Sequence, residues 1–388
     1  ASVIGRAFLY EILQRISDLK EYIDKSLMNL ERLDLIKTRS LQPELEYIFK
    51  HALTQEVVYN GLLMKERRLI HEKIALVMEG LFQDHLPEFY ETLAYHYSQS
   101  DNLQKAYEYL KLSGGKAVKN YANNEAIGFY KEAVRMLDAQ PESVENKKKN
   151  FEVYLMMRTP LMFLSHPEGS LEIFQNGEKL AYELGDEEGL VQMQYSLGVY
   201  HTSAGNPSLG LEYAEKCFNL AEKSKDFGLM AQSAGQLCVV YMYSGDAEKC
   251  VDIGSKAISL LEENHREKDS FGLGYSAYSG ICLLCGHQLA WLGRFKEGND
   301  VLEKGFRNAC EVNDKFGMGM TQVMYASVTY AAGCGDSTIM HAKEAIKIYE
   351  EAEISFGLES AWLHLEGGYY LCGCLLYTSD AADEEDSV

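Results

Sequence analysis

Several short stretches carry residue types that could do chemistry. Asp226-Phe227-Gly228 spells the triplet that holds magnesium over the phosphates of ATP in protein kinases. Cys282-Leu283-Leu284-Cys285 has the spacing of a zinc or redox pair, and Cys372-Gly373-Cys374 offers two more thiols. Ser113-Gly114-Gly115-Lys116 contains the residues of a phosphate-cradling loop. The surroundings argue against each. No glycine-rich phosphate loop, His-Arg-Asp loop or Val-Ala-Ile-Lys strand accompanies Asp226. No second Cys or His pair stands at a usable distance from Cys282 and Cys285, so both pairs are expected to be structural core. Ser113–Val118 lacks the spacing of a phosphate loop and sits within a helical pattern. No catalytic residue, cofactor or metal is expected.

The elements around these stretches are helical. The chain has 388 residues, 46 % apolar, with only 6 prolines, which favours long uninterrupted helices. Lys and Arg total 37 against 58 for Asp and Glu, a net charge of −21. Such a surface repels phosphate backbones and anionic membranes, so neither nucleic acid nor membrane is an expected partner. No apolar run reaches the ~20 residues of a membrane span, and the first residues do not read as a signal peptide. Nine scattered cysteines, an odd number, read as reduced thiols, which places the chain in the cytoplasm.

Comparing the chain with itself explains the kinase-like triplet. Phe-Gly followed by Leu or Met recurs at Phe227, Phe271, Phe316 and Phe356, with Glu188-Gly189-Leu190 as an earlier relative. The glycines at 189, 228, 272, 317 and 357 are separated by 39, 44, 45 and 40 residues, the period of stacked supersecondary units. The reading is a helix joint. Glycine would adopt positive φ and close one helix, while its Phe neighbour plugs into the next unit. Within each period small residues recur at matching offsets, as in Gly198, Gly205, Gly210, Ala214 and Cys217, then Cys238, Gly245, Cys250, Gly254 and Ala257. A third copy has Gly286, Gly293, Gly298 and Gly305. Close helix crossings need such residues.

This pattern resembles the tetratricopeptide repeat, from about Pro87 to Leu371, and implies an all-α, α/α superhelix of helix pairs. Units of 39 to 45 residues exceed the standard ~34, so helices or joints must be longer. The turn "AAGCGDS" near Ala332 is expected to carry extra residues. Pro160, inside an expected helix, should kink or break it.

The first ~85 residues differ. Val3, Phe8, Leu9, Ile12 and Leu13 give a helical stripe in Ala1–Gln14, and Ile23, Leu27, Leu30, Leu33 and Ile36 give another. "LIKTRS" and "LEYIFKH" alternate as two strands of a hairpin would, and Thr54 is placed to cap a helix over Gln55–Leu63. These elements predict a small winged-helix-like domain ahead of the repeats. The predicted division is residues 1–64 for that domain, 65–140 for a helical adaptor with the first repeat-like helices, 141–373 for the superhelix, and 374–388 for a disordered tail.

"ASVIGRAF", "LEYIFKHALTQEVVYNGLL", "ERRLIHEKIA" and the stretch Glu88–Val134 resemble bacterial signal-transduction ATPases with numerous domains. The resemblance is to the subgroup with a class III adenylate/guanylate cyclase domain at its N-terminus and tetratricopeptide repeats at its C-terminus. It implies that the cyclase aspartates and the ATPase Walker motifs belong upstream of Ala1. His51 would then have a structural or interdomain role, with nucleotide sensing as the alternative. Arg67-Arg68 reads as a solvated or interdomain pair and Lys147–Lys149 as a charged loop. "CLLYTSDAADE" (Cys374–Glu384) resembles a translated sequencing adapter, which makes the chain a metagenomic fragment with genuine sequence ending near Gly373; the bland reading is an acidic tail, with five acids and no base from Asp380 to Val388.

In such a superhelix the inner wall is built from first helices. The repeat register places Gln192, Tyr195, Val199, Thr202, Gln232, Val239, Met242, Tyr243, His287 and Trp291 there, as a surface for a protein or peptide, or for other domains of the same polypeptide. The predicted role is a non-catalytic interaction and regulatory region of a multidomain signalling ATPase. The alternative is the sensor region of an ATPase-type transcription regulator whose DNA-binding domain is missing.

Overall fold

The computed structural model describes residues 1–17, 20–40, 44–224, 227–271 and 273–374. Lys225-Asp226, Gly272 and the adapter-like segment after Cys374 lie outside the described residues. The chain divides into two compact units, one of residues 1–117 and 125–153, the other of residues 118–124 and 154 onward.

The first unit begins with strand β1 (Ala7–Leu9), helix α1 (Tyr10–Ile16), helix α2 (Ile23–Arg32), strands β2 (Ile36–Ser40) and β3 (Glu46–Phe49), and helix α3 (Ala52–Asn60). The hairpin predicted from alternation is β2–β3. It gains a third antiparallel strand, β1, on the free edge of β3, with Ala7 opposite Ile48. The single helix expected over Ala1–Gln14 is therefore wrong. Its stripe is shared between a strand and a helix, and Phe8 and Ile12 are buried from different elements. Likewise Ile36 belongs to β2, while Leu33, just past the end of α2, is exposed. Thr54 lies inside α3, and His51 holds the N-cap position without a side-chain bond. Phe8, Ile23, Leu27, Ile36 and Phe49 form the small core.

Helices α4 (Met64–Leu81), α5 (Tyr90–Ser98), α6 (Leu103–Lys119), α7 (Asn123–Asp138) and α8 (Val144–Phe163) follow. α8 runs through Pro160 without a break and ends three residues later. A proline in a last turn costs little continuity, because few hydrogen bonds remain to be made beyond it.

Among the described residues, the second unit contains the end of α8 and ten further helices. They are α9 (Ser170–Leu184), α10 (Glu187–Ser203), α11 (Pro207–Ser224), α12 (Phe227–Tyr243) and α13 (Ala247–Glu263), then α14 (Ala277–Trp291), α15 (Phe295–Glu311), α16 (Lys315–Ala331), α17 (Gly335–Glu351) and α18 (Leu358–Leu371). Each packs on its chain neighbours. In addition α10, α12, α14, α16 and α18 each pack on the next of that set. This is the all-α superhelix of tetratricopeptide-like pairs, with the even-numbered helices as one wall. Helices of 17 residues and a long joint over residues 264–276 account for the stretched period. The turn Ala332–Cys334 is no longer than Leu292–Arg294, so the extra residues expected there are absent.

The Phe-Gly glycines do not close helices. Gly189, Gly228 and Gly317 lie in the first turns of α10, α12 and α16, and of the described members only Gly357 has positive φ. Asp186 and Asp314 cap the starts of α10 and α16, each accepting the glycine N–H at 2.9 Å. At Gly317 an added Cβ would come 2.5 Å from the Asp314 carboxylate, so the capping carboxylate needs the space. The phenylalanines do join units: Phe316 packs on Phe163, Tyr275 and Phe356.

Candidate functional site

Two of the stretches that could have done chemistry are packed as structure. Ser113 and Gly114 sit buried in α6, where Ser113 Oγ donates to the Tyr109 carbonyl and Gly114 lies against the Tyr130 ring. Cys282 and Cys285 are buried in α14, and burial pushes both thiols up, away from the reactive thiolate. Cys372 and Cys374 are exposed, which contradicts their assignment to the core: α18 ends at Leu371, so neither thiol is held on its buried face. No cluster of three metal-ligating residues exists among the described residues. His51 is exposed at the start of α3.

The even-numbered helices instead enclose a hollow. It holds about 740 Å³ of empty space, part of it open to solvent. α10 contributes Tyr195 and Val199; α12 contributes Gln232, Val239, Met242 and Tyr243. These six are residues the repeat register placed on the inner wall, and the structure brings them together. They lie on one side because residues three, four and seven apart share a helix face.

The other four go elsewhere. Gln192 accepts a hydrogen bond from Arg158 Nη1 at 2.7 Å. Thr202 is buried between α10 and α11, its hydroxyl donating to the Gly198 carbonyl where Gly210 makes its closest approach. His287 is buried against Ser327, and burial holds its imidazole down to about 4. Trp291, 61 % exposed, donates its indole N–H to His287 beyond the hollow.

Sequence reasoning assigned to the wall none of the lining residues of α14 and α16, such as Ile281, Leu284 and Met320, and missed the parts that come from α8 and from the joints. Met162 of α8 lines the hollow, with Leu273 and Tyr275 from the joint before α14 and Phe356 from the joint before α18. The end of α8 is anchored there. Thr159 donates to the Leu273 carbonyl at 2.9 Å, and the Phe163 carbonyl accepts from the Ser355 and Phe356 N–H groups. Tyr195 and Tyr275 share a hydroxyl–hydroxyl bond of 2.9 Å.

Beside the main hollow lies a smaller one, half open, whose roughly 310 Å³ of empty space includes open solvent; it is lined by Arg158, Thr159, His166, Phe174 and Ser196 and shares Tyr195 and Tyr275. Arg158 is 7 % exposed. Its Nε donates to Ser196 Oγ at 2.8 Å and its guanidinium lies over the Tyr195 ring. No carboxylate pairs with it among the described residues, and burial pulls its pKa down to about 10. The sequence did carry a sign of it: one charge in the apolar run "YLMMRTPLMF".

No protein-family model matches the chain, and no curated protein does. Solved structures are similar. NprR in complex with its cognate peptide NprX is 14 % identical at a TM-score of 0.52, covering 92 % of this chain and 100 % of its own. A Rap protein complexed with competence and sporulation factor is 12 % identical at a TM-score of 0.50, with 83 % and 96 % covered. A signal-transduction ATPase with numerous domains and a tetratricopeptide repeat sensor, from Pyrococcus horikoshii, is 13 % identical at a TM-score of 0.47, over 95 % of this chain and 52 % of its own. The chain thus spans about half the length of that ATPase. At such identities the likeness to the first two speaks for the fold of stacked helix pairs.

Proposed function

We propose that the chain is a non-catalytic regulatory region that binds a peptide or protein segment in the hollow between α10, α12, α14 and α16. The observation that carries this is the apolar, Met- and Tyr-lined hollow on the even-numbered wall. Met242 and Met320 adapt to varied side chains, and Tyr243 supplies a large amphipathic surface. NprR and the Rap protein, whose folds are alike, were each solved with a bound peptide or factor, which supports the same use here. The resemblance of residues 1–134 to cyclase-bearing signalling ATPases suggests the output: the winged-helix-like residues 1–64 would pass the binding event to an ATPase and a class III cyclase domain in a cytoplasmic parent. The repeat residues 141–373 would be the sensor, and 65–140 the adaptor between them.

Two measurements test this. The purified chain should neither bind ATP nor make cyclic nucleotide; activity in either assay overturns the non-catalytic reading. Peptides selected from a displayed random library should be lost when Val239→Asp puts a charge into the hollow. Selected peptides that bind the variant as well as the parent would move the site elsewhere.

A further inference from the structure

Two polar groups around this hollow are left without the partners they need. Arg158 is a buried cation whose bonded partners, Ser196 and Gln192, are neutral. Its nearest acid along that path, Glu188, is reached only through Gln192. Lone buried charge is costly, and a guanidinium with two of five N–H donors engaged still offers an edge to a bidentate anion. Gln232 is 5 % exposed; its Nε2 donates to the Phe271 carbonyl, while its Oε1 is buried with no hydrogen-bond partner. A buried acceptor of this kind invites a donor. Arg158 lines the smaller hollow and Gln232 the larger, and the two hollows share Met162, Tyr195, Val199, Leu273 and Tyr275.

We infer that the ligand is a short peptide whose C-terminal carboxylate pairs with Arg158, whose last apolar side chain fills the hollow, and which donates a backbone N–H to Gln232 Oε1. This rests on the peptide-binding reading above and specifies its ligand. A chain end suits the smaller hollow better than an internal acidic residue. An internal Asp would bring peptide groups past Arg158 on both sides, and of the polar side chains lining that hollow Thr159, Ser196, Tyr195 and Tyr275 are already hydrogen-bonded, which leaves His166 among the described residues to receive them. A terminal carboxylate brings backbone from one side only, and that backbone leads to Gln232.

The full chain is tested against random pentapeptide libraries with a free C-terminal carboxylate and against the same libraries amidated. The expected result is capture of free-acid peptides with an apolar last residue, and roughly tenfold or greater loss of affinity on amidation. Arg158→Met should abolish that difference, and Arg158→Lys should retain part of it. Arg158→Met should also melt at or above the parent temperature, because it removes an uncompensated buried cation. A clear fall in melting temperature would mean that the guanidinium is already paired, and sinks the proposal. Equal binding of acid and amide forms also sinks it, yet leaves the groove reading standing. Amidated peptides with an internal Asp or Glu that match the free acids overturn the terminal assignment. Capture of neither library overturns the groove as well.

Discussion

His71 and His96 show how far single residues are committed to the neutral state. Both are buried, their Nδ1 atoms are 2.8 Å apart, and Tyr59 bonds the far nitrogen of His71 at 3.1 Å. One ring must donate and the other accept, so the two cannot both be charged. Burial, with Arg67 adding to it, holds His71 down to about 4; burial and His71 hold His96 down to about 3. His166 and His287 are lowered to about 4 by burial as well. Because the folded values lie below the unfolded value near 6.5, the unfolded chain takes up protons first as pH falls. Stability is therefore complete above pH 6.5 and declines toward pH 4, by roughly 3 kcal/mol for His71 alone. Thermal melts at pH 7.5 and 5.0 should show the decline, and a His71→Gln/His96→Gln variant should show a shallower one. Melting temperatures independent of pH across that range would contradict the paired neutral rings.

At the scale of elements, glycine sets how closely the helices approach. At the α14–α15 crossing a Cβ on Gly298 would lie 2.6 Å from the Gly286 carbonyl oxygen, and backbone cannot yield as a side chain can. Gly298→Ala should cost about 1–3 kcal/mol, measured by urea unfolding. Gly235, in α12, is the informative contrast. A Cβ there meets only Ile281 at 3.6 Å, an ordinary contact, and the residue lines the hollow. Gly235→Ala should raise stability by about 0.5–1 kcal/mol through helix propensity while weakening peptide binding. A variant that is more stable and binds equally well would show that the hollow has no occupant at this point.

At the scale of the whole molecule, two compact units with separate cores predict unfolding in more than one step. The stacked repeats favour this too, since α10 to α18 pack on their neighbours, with the end of α8 tied in addition to the joints before α14 and α18. Both tryptophans, Trp291 and Trp362, belong to the second unit, so their fluorescence follows that unit alone, whereas far-ultraviolet circular dichroism follows all the helices. Urea curves from the two probes should separate. Coincident single transitions would mean that the units unfold as one.

The sequence alone determined the repeat architecture, because a solenoid is held by contacts between neighbours and its small-residue spacing is written locally. Six of the ten residues assigned to the inner wall gather in one hollow for the same reason: helix periodicity and repeat register are both short-range. What needed the tertiary structure was every contact between distant segments. β1 could not be told from a helix until β3 stood beside it. The end of α8 could not be placed in the wall until Thr159 met Leu273, 114 residues on. Arg158 reads in sequence as one charge in an apolar run. Only the packing of α8 against α10 buries it without an anion, and that cost of burial is what makes it a candidate for recognition.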